Sequence, residues 1–128
     1  MSTLSVGTIK SASSAPPVFQ NSSGTEKGQL VKMWINFDAT NSNSIRGSFN
    51  VSSITDHATG YHQISFTNAM SNGNYAIWCQ ASTGNDLSFA AADEDYNVAG
   101  SCRVITRTSR TSNATDFPYV GVSIIGEN

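Results

Sequence analysis

At 128 residues the chain has length for one modest hydrophobic core and not for two. Its formal net charge is −2 and only 12% of residues are charged, so it carries no electrostatic footprint for nucleic acid or for an anionic membrane. Ser, Thr and Asn are abundant while Leu, Glu and Lys are scarce, which favours strands and turns over helices and leaves a surface with little charge to keep single copies apart.

The opening Met1-Ser-Thr-Leu-Ser-Val-Gly-Thr-Ile lacks the apolar run of a secretory leader, and nowhere do about 18 apolar residues follow one another to span a bilayer. Synthesis and assembly in a cytoplasm are therefore expected. Leu4, Val6 and Ile9 form one short alternating run, after which Ser11 to Pro17 breaks all periodicity. A second apolar patch, Val18-Phe19, leads into Asn21-Ser-Ser-Gly24 and Glu26-Lys-Gly28, both read as turn or linker chemistry. Two small patches on a polar leash cannot make a core, so residues 1–29 read as an extended arm that docks onto something else, and residues 30–128 as the β domain.

Strands are expected at about 30–38, 44–49, 51–56, 60–68, 74–82, 86–91, 101–108 and 117–126, separated by Asn41-Ser-Asn43, His57 to Gly60, Asn72-Gly73, Gly84-Asn85 and Asn97 to Gly100. In the first, Val31, Met33, Ile35 and Phe37 fall on one face against Lys32, Trp34 and Asn36 on the other. Ile64 and Phe66 alternate with Gln63, Ser65 and Thr67 in the same way. Tyr75, Ile77 and Cys79 alternate with Ala76, Trp78 and Gln80. The Asn72-Gly73 pair suggests a type I′ or similar tight turn that joins about 61–67 to 74–81 as a hairpin. Pro118 stands at the start of the last strand, where its missing donor matters little. Ala90 to Asp95 is the only window with helical character and is too short to hold a helix. The expected fold is all-β: an antiparallel β-sandwich, jelly-roll-like, of about eight strands behind an extended N-terminal arm.

Chemistry-bearing constellations are sparse. Asp93-Glu94-Asp95 lacks the glycine and terminal Glu of a calcium loop and reads as a solvated acidic turn. His57 and His62 straddle a turn, and a zinc site would need Cys79 and Cys102 to join them. In a reducing compartment these two cysteines are expected to stay thiols. No Gly-x-Ser-x-Gly elbow, phosphate-binding loop or dinucleotide fingerprint occurs, and Asp38, Asp56, Asp86 and Asp116 adjoin turns, where Asp commonly caps backbone donors. The expectation is a protein that is not an enzyme and that uses neither cofactor nor metal. Asn21, Asn50 and Asn113 open glycosylation triplets that read as chance matches in an Asn- and Ser-rich chain. Arg103 and Arg107 fall on one face of a strand, with Arg110 beyond; pairing with Asp93, Glu94 or Asp116 is favoured over a patch for acidic sugars or phosphates. Trp34, Trp78, Tyr96 and Tyr119, with Arg103 and Arg107, are the candidate interface or host-contact residues, because aromatic faces stack on sugar rings and also anchor protein interfaces. Trp34 and Trp78, opposite the aliphatic rows, are expected to meet a second sheet or another subunit.

The run Trp34-Ile-Asn-Phe-Asp, then Ser44-Ile-Arg-Gly-Ser-Phe-Asn-Val-Ser-Ser-Ile-Thr-Asp56, Gly60-Tyr, Ile64-Ser-Phe-Thr-Asn-Ala-Met70 and Asn74-Tyr-Ala resembles a β-rich module of tail-fibre-like virion proteins from tailed bacteriophages, notably phages of aquatic bacteria and cyanobacteria. Met1-Ser-Thr-Leu with Thr8-Ile9 is similar to the start of the same proteins, and the likeness covers roughly residues 1–80. It implies a homotrimeric tail fibre or tail tip component of the virion, assembled in the host cytoplasm, that mediates attachment. Leu4, Val6, Ile9, Val18 and Phe19 of the arm would then anchor it to other virion proteins, and the C-terminal half would touch a host surface glycan or protein. The alternative is a decoration or head-fibre protein on the phage capsid.

Overall fold

The computed structural model describes residues 3–10, 17–83, 88–108 and 113–126. Most of the expected break at Ser11 to Pro17, the Gly84-Asn85 turn, Asp86 and Arg110 lie outside these residues. The chain divides into two compact units, Met1–Leu30 and Val31–Asn128.

Within the first unit, β1 (Phe19–Gln20) pairs antiparallel with β2 (Glu26–Gly28), with Phe19 opposite Gly28. The expected linker is thus a miniature hairpin. The side chain of Asn21 makes it: its Oδ1 accepts from the Ser23 and Thr25 amides at 3.1 and 2.9 Å, and Gly24 supplies the left-handed residue at φ 77°. A two-stranded ribbon of this length buries almost nothing, and Leu4, Val6, Ile9, Val18 and Phe19 are all exposed.

The second unit is a sandwich of two four-stranded antiparallel sheets. Its strands are β3 (Met33–Asp38), β4 (Ser44–Phe49), β5 (Val51–Ala58), β6 (Tyr61–Phe66), β7 (Tyr75–Ser82), β8 (Ser88–Ala92), β9 (Ser101–Thr108) and β10 (Tyr119–Gly126). The first sheet runs β4-β3-β10-β7 and the second β5-β6-β9-β8. Between Ala92 and Ser101 the chain makes one 3-10 turn, Glu94–Tyr96.

Alternation places the core. Met33, Ile35 and Phe37 of β3 and Val120, Val122 and Ile124 of β10 face inward from the first sheet, and Ile64 and Phe66 of β6 with Cys102 and Val104 of β9 meet them from the second. Phe117, Met70 and Ala39 close the ends. The central strands are therefore the most apolar inside, while the edge strands β4 and β5 stay mostly exposed.

The hairpin expected between about 61–67 and 74–81 does not form. β6 pairs with β5 and β9, whereas β7 pairs with β10 in the other sheet. Residues 67–74 cross the edge of the sandwich instead of turning back. Nor is Asn72-Gly73 a type I′ turn, since the described residues of positive φ are Ser42, Asn43, Asn50, Gly24, Gly60 and Gly126. Gly73 is needed for closeness: any Cβ there would run into the carbonyl of Asn97.

Two corners carry specific chemistry. Asn50, at φ 59°, turns the chain between β4 and β5 from one sheet into the other, and its side chain donates to the carbonyls of Lys32 at 3.0 Å and Asn68 at 3.1 Å while accepting from the Asn68 amide at 2.7 Å. A short polar side chain that tolerates the left-handed region and closes its own network is what this corner requires. Tyr75 spans the two sheets from β7, its hydroxyl lying 3.0 Å from the Val98 carbonyl and 2.8 Å from that of Ser101, its ring edge-on to Phe66. Burial pushes its phenol up, so it stays a donor.

His62 is fully buried, edge-on to Phe37 at 5.4 Å, with Nε2 3.4 Å from Asp116 Oδ1. Burial outweighs the pull of Asp116 and Asp56 and lowers its pKa below the usual 6.5. A histidine kept neutral by the fold but free to protonate when unfolded takes stability away as pH falls. The full contribution is present above about 6.5 and is lost progressively below it, down to the depressed folded value. Urea midpoints measured from pH 7.5 to 5 should fall, and His62→Leu should flatten that slope; an unchanged slope in the variant would assign the acid sensitivity elsewhere.

Candidate functional site

Three of the exposed aromatic residues, Trp34, Trp78 and Tyr119, lie on the outer face of the first sheet. β10 lies between β3 and β7 and is antiparallel to both, so β3 and β7 run in the same direction. Ser123 is opposite Trp34 on one side and Trp78 on the other, and two residues along, Gly121 is opposite Asn36 and Gln80. The face therefore carries two parallel rows, Trp34–Ser123–Trp78 and Asn36–Gly121–Gln80. Each comes from the same local pattern, a Trp followed two residues later by a carboxamide, Trp34-Ile-Asn36 and Trp78-Cys-Gln80, because period two puts i and i+2 on one face.

The small residues of β10 make the rows into a groove. Ser123 and Gly121 form a low floor between taller walls, an open depression of about 520 Å³ whose lining includes Trp34, Asn36, Trp78, Gln80, Gly121 and Ser123. The flanking strands lie two inter-strand spacings apart, about 10 Å, which leaves room for one ring system between the indoles. Trp34 is 44% exposed and Trp78 63%, so both face away from the second sheet and toward solvent. The Trp34 ring leans over β4, where a Cβ on Gly47 would stand 3.2 Å from Cη2. Gln80 reaches across the floor, where a Cβ on Gly121 would stand 2.9 Å from Nε2. Asn36 Oδ1 is buried and accepts no hydrogen bond.

Tyr119 extends the same face beyond Gly121, opposite Ser82, and a smaller hollow runs between it and Gln80. Its ring is covered by the Arg46 guanidinium at 4.3 Å, which also pairs with Asp38 Oδ2 at 2.7 Å and donates to the Pro118 carbonyl. Hydrogen bonds from Thr40, then the Arg46 charge, hold the Asp38 carboxyl below its ordinary pKa. Arg46 sits at the β-bulge of β4, whose extra residue aims it across the sheet toward Tyr119.

The other expected residues lie elsewhere. Arg103 and Arg107 share the outer face of the second sheet with Tyr61 and Gln63. Arg103 stacks on Tyr96 at 3.4 Å and lies 4.0 Å from Asp93 Oδ2, while Arg107 donates to the Tyr61 hydroxyl at 3.0 Å. Much of this cluster is internally satisfied. Cys79 and Cys102, from opposite sheets, are free thiols pushed up to about 12 by burial, which removes thiolate chemistry near neutral pH. Among the described residues no group of three or more His, Cys, Asp or Glu is placed to hold a metal ion.

Reasoning from sequence thus named both indoles of the groove but missed Asn36, Gln80, Gly121 and Ser123. The repeated Trp-x-carboxamide pattern was the available signal; the strand that unites its two copies was not. Comparison with protein-family models, curated proteins and solved structures finds no match to this chain.

Proposed function

We propose that the chain is a non-enzymatic structural and adhesive virion component, a homotrimer of the tail-fibre kind that residues 1–80 resemble. Its N-terminal unit attaches to other virion proteins, and the outer face of the first sheet is the contact face that meets the host. The observation that carries this reading is the grouping of Trp34, Trp78 and Tyr119 around a solvent-facing groove. Three exposed aromatic residues grouped around one groove suit a contact surface, since large exposed apolar patches otherwise invite aggregation. Leu4, Val6, Ile9, Val18 and Phe19, exposed on a unit with almost no core of its own, supply side chains for a second partner.

Light scattering on the full chain tests the assembly. The reading expects a mass of three chains of 13.6 kDa each. A monomer at all concentrations would contradict it.

A further inference from the structure

We infer that the groove over β10 binds an uncharged, pyranose-containing glycan; this rests on the adhesive reading above and names its ligand class. A pyranose has one face of C–H groups and a rim of hydroxyls. The C–H face packs on an indole, whose ring face is electron-rich and apolar, and the hydroxyls need partners that can both donate and accept. The groove offers both kinds in register: an indole on each side of Ser123 and a carboxamide on each side of Gly121. No Asp, Glu, Lys, Arg or His is among its lining residues, so a charged sugar or an acidic or basic peptide finds no counter-charge there. Its volume of about 520 Å³ lies inside the roughly 300–1,000 Å³ of small-ligand sites.

Two details favour a small ligand over a second copy of the chain. The face is concave: a two-fold contact through it would set groove against groove, and a three-fold one would need a matching ridge on the neighbouring chain to fill the floor. The β3 side also carries an unmet polar group, Asn36 Oδ1, which is buried and unbonded. A ligand hydroxyl that reaches that oxygen can donate to it, whereas an apolar protein surface would leave it unsatisfied. Gly47 and Gly121 keep the site open: the first lets the Trp34 ring lean away from Trp78, and the second keeps the floor low.

The test is affinity electrophoresis of the full chain through gels containing dextran, mannan, galactomannan or hydroxyethylcellulose, with heparin as the anionic comparison. Retardation by at least one neutral polysaccharide is expected. That affinity should fall at least tenfold in Trp78→Ala and in the double variant Asn36→Ala/Gln80→Ala. Gly47→Val, which acts on the groove only by displacing Trp34, should weaken it too. Circular dichroism must show the parent fold in each variant, and Trp78, being exposed, is the one least able to disturb it. Failure of all four neutral polysaccharides, retardation by heparin alone, or binding that survives Trp78→Ala would overturn the inference. Should Trp78→Ala instead lower the mass seen by light scattering, the face is a contact between copies and the glycan inference falls, while the structural virion reading stands. A chain that is monomeric yet retarded in a Trp78-dependent way keeps the glycan site and removes the trimer.

Discussion

Gly60→Ala is expected to destabilise the β domain severely. Gly60 sits at φ 75° in the turn between β5 and β6, and a Cβ there would lie 2.5 Å from the Thr106 carbonyl oxygen and 2.8 Å from the Thr115 amide nitrogen. The left-handed backbone alone costs a non-glycine residue about 1–2 kcal/mol. Neither neighbour can retreat cheaply, because both are backbone atoms already engaged: Thr106 donates to the Gly60 carbonyl at 2.8 Å, and Thr115 donates to the Thr106 carbonyl at 3.1 Å. The Gly60 amide in turn donates to Asp116 Oδ1 at 2.6 Å, the same carboxylate that faces His62. Moving the turn therefore disturbs the β6–β9 pairing, the segment leading into β10 and the buried histidine together. A chain recovered mostly unfolded or insoluble is the expected result. An unfolding free energy from urea titration within about 0.5 kcal/mol of the parent, the scatter of ordinary surface substitutions, would show that the turn relaxes freely.

Phe37→Ala should cost about 3–5 kcal/mol, in the range found when large aromatic side chains are removed from close-packed cores. Phe37 is fully buried on a central strand of the first sheet, opposite Val120 on β10 and edge-on to His62 of the second sheet. Its ring spans the interface, so the cavity left behind is lined by both sheets and cannot close by the shift of one side chain. Against a total of about 5–15 kcal/mol for a domain, this loss is a large fraction of stability. Equilibrium urea unfolding followed by far-UV circular dichroism checks it. Trp78→Ala on the outer face makes the contrast, because it removes a larger ring that is mostly in solvent and should change stability by about 0.5 kcal/mol or less.

The strands of the β domain were legible because alternation is a local property. Met33, Ile35 and Phe37, or Ile64 and Phe66, declare their buried face within six residues, and the strands expected in the domain stand where the sequence places them to within a few residues. Which strand lies beside which was not legible, since the same alternating face suits a neighbour in either sheet. The Ile64 and Phe66 face is satisfied equally by a hairpin partner or by β9, and what selects β9 is the crossing of residues 67–74, fixed by Gly73 against Asn97 and by Asn50 against Asn68. Asn-Gly read as a hairpin because the pair is usually chosen for its positive φ; here Gly73 is chosen for the space it leaves. The same limit hid the groove. Trp34 and Trp78 could be assigned to outward faces one strand at a time, but their meeting depends on β10, the last strand, lying between them. Asn36 and Gln80 then follow by period two, and Gly121 and Ser123 by register. The β1–β2 hairpin was missed because the side chain of one residue, Asn21, makes it rather than any hydrophobic pattern.

The claim that the outer face of the first sheet is an open contact face is tested most directly by acrylamide quenching of tryptophan fluorescence in the full chain. Trp34 and Trp78 are the two tryptophans of the sequence, so the signal comes from that face alone. The account predicts that both indoles are quenched readily, with a quenching constant that stays the same over the whole concentration range in which light scattering reports the assembled chain. Quenching that weakens as the chains associate would place the indoles inside the assembly and contradict it.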